Sequence, residues 1–594
     1  MYTFALDYET YYDKDCSIKT LGPLGYFSHP EFDAYRVSVW GDEGTKFVGH
    51  PKDFDWDKLK GHRVLSHNAS FDETLYLYGA KQSWWPLVDY AEWHCTADLS
   101  VYCSLPRSLK GATTVLFDLE ISKSTRDNMS GKTWESMSED FQREVDEYAL
   151  KDSELCLKLW EELSPSWPKH ERAISALNRK IVQRGIPIDY DLLQKNKDVI
   201  EHKLFDAKNS IPWAKELPIL SRNAFNVECR KVGIEPPASM ALTSEEANEF
   251  IKEYGEKYPF IVAVRDFRRI NALKKKLQSF EYATLDDLRY YGGCFYFGAH
   301  TGRYSGSGGN LNLQNLPRAE HFGVNLRHMI RAPKGKKLII ADLSQIEVRT
   351  LFYLAKAKEM LERISNCNDI YEVFAYRLGM YQPNTSYHPT YRKNFKEFDG
   401  GKLRHIVKQI ILGCGYGVSA KKFAQITGMS EKEAARGVRL YRLNFRHVVK
   451  LWNNYQRQVV VANYNQKDFF IELPSGRKLK YGKVKKNVGD NRTNYVVYQY
   501  KGGKQVPMRA WGGLLTENAS QALSRDIFSD MMLRLEDRGI KTIFHVHDEF
   551  IIEVDEEKAE DTLKEVLEIM STPPTWIPDI PLEAEGKIVN KYQK

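Results

Sequence analysis

Residues 404–417 read RHIVKQIILGCGYG, a helix-like stretch in which chemically distinct side chains recur at intervals of four. The recurring residues are Arg404, Lys408, Leu412 and Tyr416. Four residues turn an α-helix by about 400°, so the row drifts by only about 40° per step and projects from one side. The glycines of GCGYG weaken a helix, and they indicate close approach by something large. A forked guanidinium, a point-charge ammonium and an aromatic ring suit a triphosphate with its base or sugar, although a solvated charged face is the alternative interpretation.

Two acidic residues stand beside apolar, strand-like runs. Asp342 ends the run 338–341, and Asp548 lies in a turn within the strand-like segment 543–554. Two such carboxylates on one sheet can hold two Mg²⁺ ions, an arrangement that phosphoryl transfer uses. A lone HDE is usually only a polar turn, so the pairing with Asp342 is what indicates a catalytic site.

Four stretches together resemble the motifs of family A DNA polymerases, the class of bacterial polymerase I. ADLSQIEVR (341–349) is similar to motif A, residues 404–417 to motif B, and HVHDEF (545–550) to motif C. TGRYSG (301–306) with NLQNLP (312–317) resembles the family's primer-template stretch. The similarity runs in order from about residue 260 to the end. The compact form, and stretches such as LPSGRKLKYG and ENASQALSRDI, resemble phage replicative enzymes, without the leading 5′-nuclease domain of many bacterial relatives.

The resemblance implies an α+β polymerase domain with thumb, palm and fingers, and two Mg²⁺ ions for which Mn²⁺ could substitute. Asp342 and Asp548 would bind these metals, with Glu549 assisting nearby. The residues implied for nucleotide binding are Arg404, Lys408, Leu412, Tyr416, Gln345, Glu347 and Tyr371. The residues implied for primer-template contact, chiefly in the minor groove, are Arg303, Asn312, Gln314, Gln521 and His547.

Several of these residues carry a specific expected role. Arg404 and Lys408 would grip phosphates, and Lys408 would also protonate the pyrophosphate. Glu347 would crowd the sugar 2′ position and exclude ribonucleotides, while Tyr416 would sit by the nascent base pair. The sequence departs from the better-known pattern at two positions. Leu412 stands where the family usually has Phe or Tyr, and Tyr371 stands where many members have a phosphate-binding His.

A second set of acids lies near the N-terminus. Asp7 and Glu9 share one face of an alternating strand, whereas Tyr148 and Asp152, four apart, share one face of a helix. Asp72 follows in HNASFD (67–72), at the start of a helix-like segment. Two divalent ions that hydrolyse a phosphodiester need carboxylates from several sides, and a phenol can hold the water. The set resembles DEDD-type 3′–5′ proofreading exonucleases of the tyrosine variant. That implies an α/β ribonuclease H-like domain with a two-Mg²⁺ site.

The domain boundary is predicted at SPSWP (164–168), where Pro and Ser interrupt the helical pattern. Residues 1–168 would form the exonuclease domain and 169–594 the polymerase domain. Within the latter we expect the thumb at about 175–300, the palm at about 301–350 and 516–594, and the fingers at about 351–515. The segment RDFRRINALKKKL (265–277) has six cations against one acid and resembles the thumb that holds the duplex backbone. Residues 292–317, rich in Gly, Ser and Asn, are predicted to be loops and turns.

Composition narrows the classes of protein. The chain has 594 residues, a net charge of +7 and 12% aromatic residues, which permits nucleic acid as a partner without demanding it. No apolar run reaches the roughly 18 residues of a membrane span, so no membrane partner is expected. The N-terminus does not read as a secretory signal. The eight cysteines lack a CxxC pair, which favours inert thiols and a cytoplasmic location, in a bacterial host if the phage resemblance holds.

The sequence therefore favours a DNA polymerase with an intrinsic exonuclease, acting on primer-template DNA and dNTPs, with a helicase and a single-strand-binding protein as possible replisome partners. Two alternatives stay open: a trimming nuclease whose polymerase half only clamps DNA, and a DNA-binding scaffold without catalysis. The intact acids at both sites speak against them.

Overall fold

The computed structural model describes residues 1–593 except 120–123, 242–243, 308–310, 367–368, 382–394, 396–397, 490–491 and 502–503. In this part of the chain, no helix combines the length and apolarity that a membrane crossing requires. The seven cysteines that the structure describes are free thiols, and six of them are buried.

The N-terminal region is a mixed sheet with helices packed against it. Its elements are β1 (Thr3–Glu9), α1 (Ile18–Phe27), β2 (Arg36–Gly41), β3 (Lys46–Gly49), β4 (Arg63–Ser66), α2 (Ala69–Lys81), β5 (Glu92–Cys95), α3 (Thr96–Tyr102), α4 (Leu109–Phe117), α5 (Ser124–Met129) and α6 (Glu139–Leu163). The five strands are ordered β3-β2-β1-β4-β5. β1 pairs antiparallel with β2 and parallel with β4, which pairs parallel with β5. The strand predicted to carry Asp7 and Glu9 is confirmed as β1, and the helices predicted to carry Asp72 and the pair Tyr148 and Asp152 are confirmed as α2 and α6.

α6 crosses the sheet over β1 and β2 and is held there by buried hydroxyls. The Ser38 hydroxyl donates to the carbonyl oxygen of Ala149 at 2.8 Å and lies 2.6 Å from the Ser153 hydroxyl. Small residues let the helix approach the strands closely, and the hydroxyls satisfy each other's hydrogen bonds in the dry interface. The contact fixes the middle of α6 over β2.

A helical region follows the predicted boundary. It contains α7 (Lys169–Arg184), β6 (Ile186–Pro187), α8 (Tyr190–Asn209), α9 (Arg222–Lys231), α10 (Glu245–Tyr254), α11 (Pro259–Tyr282), β7 (Arg289–Tyr290), β8 (Gly293–Phe295) and β9 (Ser305–Ser307). α11 contains the basic segment 265–277 and packs along α8. The prediction that residues 292–317 form only loops and turns is wrong in part, because β8 and β9 pair as a short antiparallel ladder.

The remaining chain places helices around a central antiparallel sheet. Its elements are β10 (Lys336–Leu343), α12 (Ile346–Leu354), α13 (Lys358–Ser365), α14 (Ile370–Arg377), α15 (Lys402–Cys414), α16 (Ala420–Thr427), α17 (Glu431–Asn444), α18 (Arg446–Tyr464), β11 (Asp468–Glu472), β12 (Lys478–Lys483), β13 (Lys485–Gly489), β14 (Arg492–Lys501), β15 (Lys504–Arg509), α19 (Gly512–Asp537), β16 (Thr542–Val546), β17 (Glu549–Asp555), α20 (Ala559–Ser571) and β18 (Ala584–Val589). The central sheet has the order β16-β17-β10-β18. β10 is buried on both faces, which is why its run LIIA is continuously apolar.

A buried ion pair ties α7 to α19. Two nitrogens of Arg525 donate to the Glu171 carboxylate at 2.5 and 3.0 Å, and both side chains are 2% exposed. The Tyr296 hydroxyl donates to the same carboxylate at 2.6 Å. The guanidinium and the hydroxyl together meet the hydrogen-bonding needs that a buried carboxylate must satisfy.

We expect Glu171→Ala to lower the free energy of unfolding by about 3–5 kcal/mol, because it removes the closest partner of the buried Arg525 charge and leaves only Asp526, at 3.3 Å. Urea unfolding would measure the loss. The matched control is Glu235→Ala, which removes an exposed ion pair with Arg230 and should cost less than about 1 kcal/mol. Equal losses in the two variants would contradict a special role for the buried pair.

Candidate active sites

Asp342 and Asp548 meet at one end of the central sheet. Asp342 lies near the end of β10, and Asp548 lies in the turn between β16 and β17. The backbone N–H of Leu343 donates to the carbonyl oxygen of Asp548 at 3.0 Å, which joins the two segments directly. His547 adopts a left-handed φ of 57°, which closes the turn tightly and leaves its side chain exposed. Both carboxylates are partly accessible at this edge.

Glu549 is buried beside this pair. It stands opposite Asp342 in the antiparallel register of β10 and β17, so the two side chains share one face of the sheet. Its side chain accepts a hydrogen bond of 2.6 Å from the Tyr592 hydroxyl, and the residue is 1% exposed. Arg327 in turn donates to the Tyr592 oxygen at 3.1 Å. The sequence reasoning missed Tyr592 and Arg327, which orient Glu549 from distant parts of the chain.

The turn from β10 into α12 positions Glu347. Gln345 adopts φ 48° as the residue before the helix, so the chain reverses immediately after the Asp342 strand. Glu347 occupies the first turn of α12, and its carboxylate lies 3.1 Å from Arg303, with both side chains about one-third exposed. Burial raises the pKa of Tyr416, and the nearby Glu347 charge raises it further. The structure therefore brings Arg303, Glu347 and Tyr416 together.

The predicted row on α15 is confirmed as an accessible face only in part. Lys408 and Leu412 are exposed and Arg404 is partly exposed, whereas Val407 and Ile410 face the core. The helix ends at Cys414, so the prediction that Tyr416 continues the helical row is wrong. Tyr416 lies in the following turn instead.

The glycine cluster is explained by the protein itself rather than by a ligand. A Cβ at Gly413 would approach the Phe423 ring to 2.7 Å, and one at Gly415 would approach Leu351 to 2.9 Å. Gly417 has φ +76°, which permits the turn that ends the helical path. The close approach expected from the sequence is real, but the approaching groups are neighbouring side chains.

Arg404 is held in place by residues of α14. Its Nε donates to a carboxylate oxygen of Asp369 at 2.6 Å, and its guanidinium lies 4.9 Å from the Tyr371 ring centre. Tyr371 is only 4% exposed, and burial raises its pKa to about 12. Tyr371 therefore packs against Arg404 from the protein interior and does not itself face the accessible side. Asp369, missed by the sequence reasoning, caps α14 by accepting from the Tyr371 backbone N–H at 2.9 Å.

The residues implied for primer-template contact differ in accessibility. Gln314 is 7% exposed, and its backbone N–H donates to the Asn312 side chain at 3.0 Å. Gln521 lies on α19, where its amide donates to Glu517 at 3.3 Å. His547 is exposed in the turn described above. The predicted set is thus distributed over three segments, and Gln314 is buried.

The N-terminal acids converge from three elements. β1 carries Asp7 and Glu9, α2 carries Asp72, and α6 carries Tyr148 and Asp152. Asp72 is 2% exposed, and its carboxylate accepts a hydrogen bond of 3.3 Å from the backbone N–H of Tyr8, which lies between Asp7 and Glu9. Burial raises the pKa of Asp7 well above its usual range, and the charges of Glu9 and Asp72 raise it further. Burial also raises the pKa of Glu9, and the charge of Asp152 raises it further. Burial raises the pKa of Asp152, and the neighbouring Tyr148 hydroxyl lowers it in part.

Arg126 is a further member of this cluster that sequence reasoning missed. It lies on α5, in a stretch without a motif. Burial alone would lower its pKa, but the neighbouring Tyr148 and Glu9 outweigh burial, so the pKa is raised. The guanidinium offsets part of the negative charge that the four carboxylates bring together. Only the folded chain reveals this neighbour.

The donor chemistry at both places suits a hard divalent cation, because carboxylate oxygens are what Mg²⁺ prefers. The electrostatic strain among Asp7, Glu9 and Asp72 favours a cation further. In the described part of the chain, however, no three acidic, histidine or cysteine side chains already form a cage around a common point.

Comparisons with known proteins agree with this geometry. The model of DNA polymerase family A matches residues 230–594. A DNA polymerase of Bacillus phage SP02 is 24% identical over 677 aligned positions that cover 100% of both chains. DNA polymerase I of Pseudomonas aeruginosa is 26% identical over 50% of this chain and 29% of its own length. The expectation of similarity to phage members is confirmed by the full-length match.

The fold agrees with a solved structure, the POL domain of Pol1 from M. smegmatis in complex with DNA primer-template and dNTP. The TM-score is 0.68 at 18% identity, covering 99% of this chain and 95% of that chain. The α+β fold predicted for the polymerase domain is confirmed. The family model matches more than half of the residues of this chain. The chain therefore belongs to DNA polymerase family A.

Proposed function

We propose that this chain is a template-directed DNA polymerase that extends a primer 3′ end with dNTPs and also carries a 3′–5′ proofreading exonuclease. The polymerase assignment rests on the meeting of Asp342 and Asp548 at one edge of the central sheet. The accessible cations of α15 support the assignment, because the end of this helix lies near the Asp342 segment. Tyr416, just after α15, neighbours Glu347, which follows Asp342 by five residues.

The chain's own residues supply positioning and charge. When bound by Asp342 and Asp548, Mg²⁺ would supply hydroxyl activation and neutralise triphosphate charge. Arg404, oriented by Asp369, presents a fork to phosphate oxygens. Lys408 offers an exposed ammonium that can donate a proton to the leaving pyrophosphate.

The exonuclease assignment rests on the convergence of five side chains. The sheet order β3-β2-β1-β4-β5, with β4 and β5 parallel to β1, supports a ribonuclease H-like domain in residues 1–168. Asp7, Glu9, Asp72 and Asp152 would hold the metals. Tyr148, whose hydroxyl neighbours the Asp152 carboxylate, would hold the attacking water in line with the last phosphodiester.

The full-length similarity to a phage enzyme supports a role in replicating phage DNA. A helicase and a single-strand-binding protein stay predictions as partners, since they rest on the resemblance alone.

A primer-extension gel with and without dNTPs and Mg²⁺ tests the proposal. We expect lengthening of the primer with both, and shortening with Mg²⁺ alone. Shortening under both conditions would indicate the trimming nuclease. An unchanged primer that is nevertheless bound would indicate the scaffold. A scaffold gives no reason for gathering acids whose pKa values are raised by burial and then by each other's charge.

Glu347→Ala is expected to raise rNTP use relative to dNTP by about tenfold or more, because it opens space at the sugar 2′ carbon. The readout is the rNTP/dNTP ratio of kcat/KM. Glu347→Gln is the matched control, since it keeps the size but loses the ion pair with Arg303. An unchanged ratio in the Ala variant would show that Glu347 does not exclude ribonucleotides.

Leu412 should govern how the sugar is held. It is 39% exposed on α15, so it does not pack into the core of the helical region. A leucine has no ring plane to stack on the sugar and no hydroxyl to replace a missing 3′-OH contact. We therefore expect the native enzyme to discriminate against dideoxynucleotides.

Leu412→Tyr should relax this discrimination by the worth of one hydrogen bond in a largely dry site, about 1–3 kcal/mol, or roughly 5- to 150-fold in relative kcat/KM. The measurement is the ddNTP/dNTP ratio in an Asp7→Ala, Glu9→Ala background, so that proofreading does not remove the terminator. Leu412→Met is the size-matched control. If both rates fell together while the ratio stayed flat, overpacking would be the better explanation.

A further inference from the structure

Residues 478–509 are strongly basic. They contain nine lysines and arginines and a single acidic residue, Asp490. The segment includes β12 and the three-stranded antiparallel sheet β13-β14-β15. A bias of this size within one compact unit concentrates positive potential and suits a polyanion.

One face of the sheet β13-β14-β15 combines these charges with tyrosines. Val496 on the central strand pairs with Lys485 on one side and Arg509 on the other. Paired residues of antiparallel strands share a face, and so do residues two apart along a strand. Tyr498 and Tyr500 therefore lie on the same face as this trio. We call the set Lys485, Val496, Tyr498, Tyr500 and Arg509 the tyrosine face.

The tyrosine face is the outer one. Val497, which points the opposite way, is 0% exposed and belongs to the core shared with α18 and α19. Tyr498 is 39% exposed, and Lys485 and Arg509 are also exposed. The Lys485 ammonium lies 5.1 Å from the Tyr498 ring centre, and the Gln505 amide donates to the Tyr500 hydroxyl at 2.9 Å. The exposed Tyr498 ring is thus held beside a cation, and the half-buried Tyr500 is held by the Gln505 amide.

The sheet is joined to the proposed primer-template path. β12 lies beside β14, and the turn before β12 carries Arg477, which donates to the carbonyl oxygens of Thr301 and Ala522 at 2.9 and 3.1 Å. These residues adjoin Arg303 and Gln521, two of the predicted DNA contacts. The β12 residue Tyr481 also accepts from the Asn518 amide of α19 at 2.9 Å. The basic sheet is therefore connected, through β12 and the turn before it, to two of the segments that carry predicted DNA contacts.

We propose that the tyrosine face binds single-stranded DNA, namely the unpaired template strand, with bases stacked on Tyr498 and Tyr500 and phosphates near Lys485 and Arg509. Stacking favours a single strand, because the bases of a duplex are already stacked on each other. The identification of that strand as template rests on the proposed polymerase function; the binding of single-stranded DNA does not.

Binding is tested by fluorescence anisotropy in EDTA, so that neither extension nor degradation occurs. Two DNAs share one duplex, and one of them has a 5′ template overhang of about 12 nucleotides, within the reach of such surfaces. We expect the native chain to bind the overhang DNA more tightly. Tyr498→Ala with Tyr500→Ala should remove about tenfold of that affinity and leave the blunt duplex unaffected.

Two further variants sharpen the result. Tyr464→Ala is the matched control, because Tyr464 is 86% exposed at the end of α18, outside the sheet, and it should bind both DNAs like the native chain. Lys485→Gln with Arg509→Gln should lower the slope of log Kd against log salt by roughly 1.4, at about 0.7 per phosphate contact on a single strand. Thermal melting checks that each variant is folded.

Equal affinity of the native chain for both DNAs would overturn the inference, as would a double tyrosine variant that weakens both DNAs equally. A chain that prefers the overhang but never extends a primer would support the tyrosine face while refuting the proposed polymerase function.

Discussion

Asp7→Ala combined with Glu9→Ala is expected to slow degradation of single-stranded 3′ ends by at least about 10³-fold, because it removes both carboxylates that β1 contributes to the proposed metal site. Primer extension should survive to within about twofold, since distant sites without shared partners behave independently. The two acids lie on the N-terminal sheet, whereas Asp342 lies on the central sheet and Asp548 in the turn between its strands β16 and β17. Gel assays of single-stranded and primed substrates would measure the two rates.

The control for this variant is Glu161→Ala with Glu162→Ala, which removes two exposed carboxylates at the end of α6. It should change neither activity. If the Asp7, Glu9 variant lost extension while its melting temperature stayed near that of the native chain, the model of two independent sites would be wrong.

Local sequence patterns predicted the elements that carry the acids. The alternation of β1 placed Asp7 and Glu9 on one face, and the spacing of four placed Tyr148 beside Asp152, whose pKa the Tyr148 hydroxyl influences. The run 338–341 likewise predicted the buried strand that precedes Asp342. These predictions depend on the period of a strand or a helix, which a single segment determines by itself.

Patterns that depend on other segments were less informative. The glycines of GCGYG indicated close approach, but a single stretch could not show that Phe423 and Leu351 are the neighbours. The same glycines end the helix before Tyr416. The pairing of Glu171 with Arg525, 354 positions apart, has no local signature at all. The alternation of polar and apolar residues in KLKYGK (478–483) could have predicted β12, because a period of two is the signal of a half-buried strand. The structure buries the two apolar residues, Leu479 and Tyr481.

Asp548→Ala should produce the reverse of the first phenotype, with extension reduced by at least about 10³-fold and degradation of 3′ ends retained. Asp548 shares its turn with the backbone contact to Leu343, and that contact uses the main-chain oxygen. Removing the side chain therefore leaves the junction of β10 with the β16–β17 turn intact. The loss should lie in chemistry rather than in folding, and binding of primer-template DNA should persist.

The measurement is single-turnover extension of a primer by one dNTP, with DNA affinity determined separately. Asp561→Ala, an exposed acid on α20, is the control and should extend normally. A variant at Asp548 that kept native kcat would remove this residue from the proposed metal pair. A variant that lost DNA binding together with extension would instead assign the turn to primer-template contact, the role that its neighbour His547 was expected to fill. The two roles predict opposite results in the binding assay, because a metal ligand acts on the transition state and a DNA contact acts on the ground state as well.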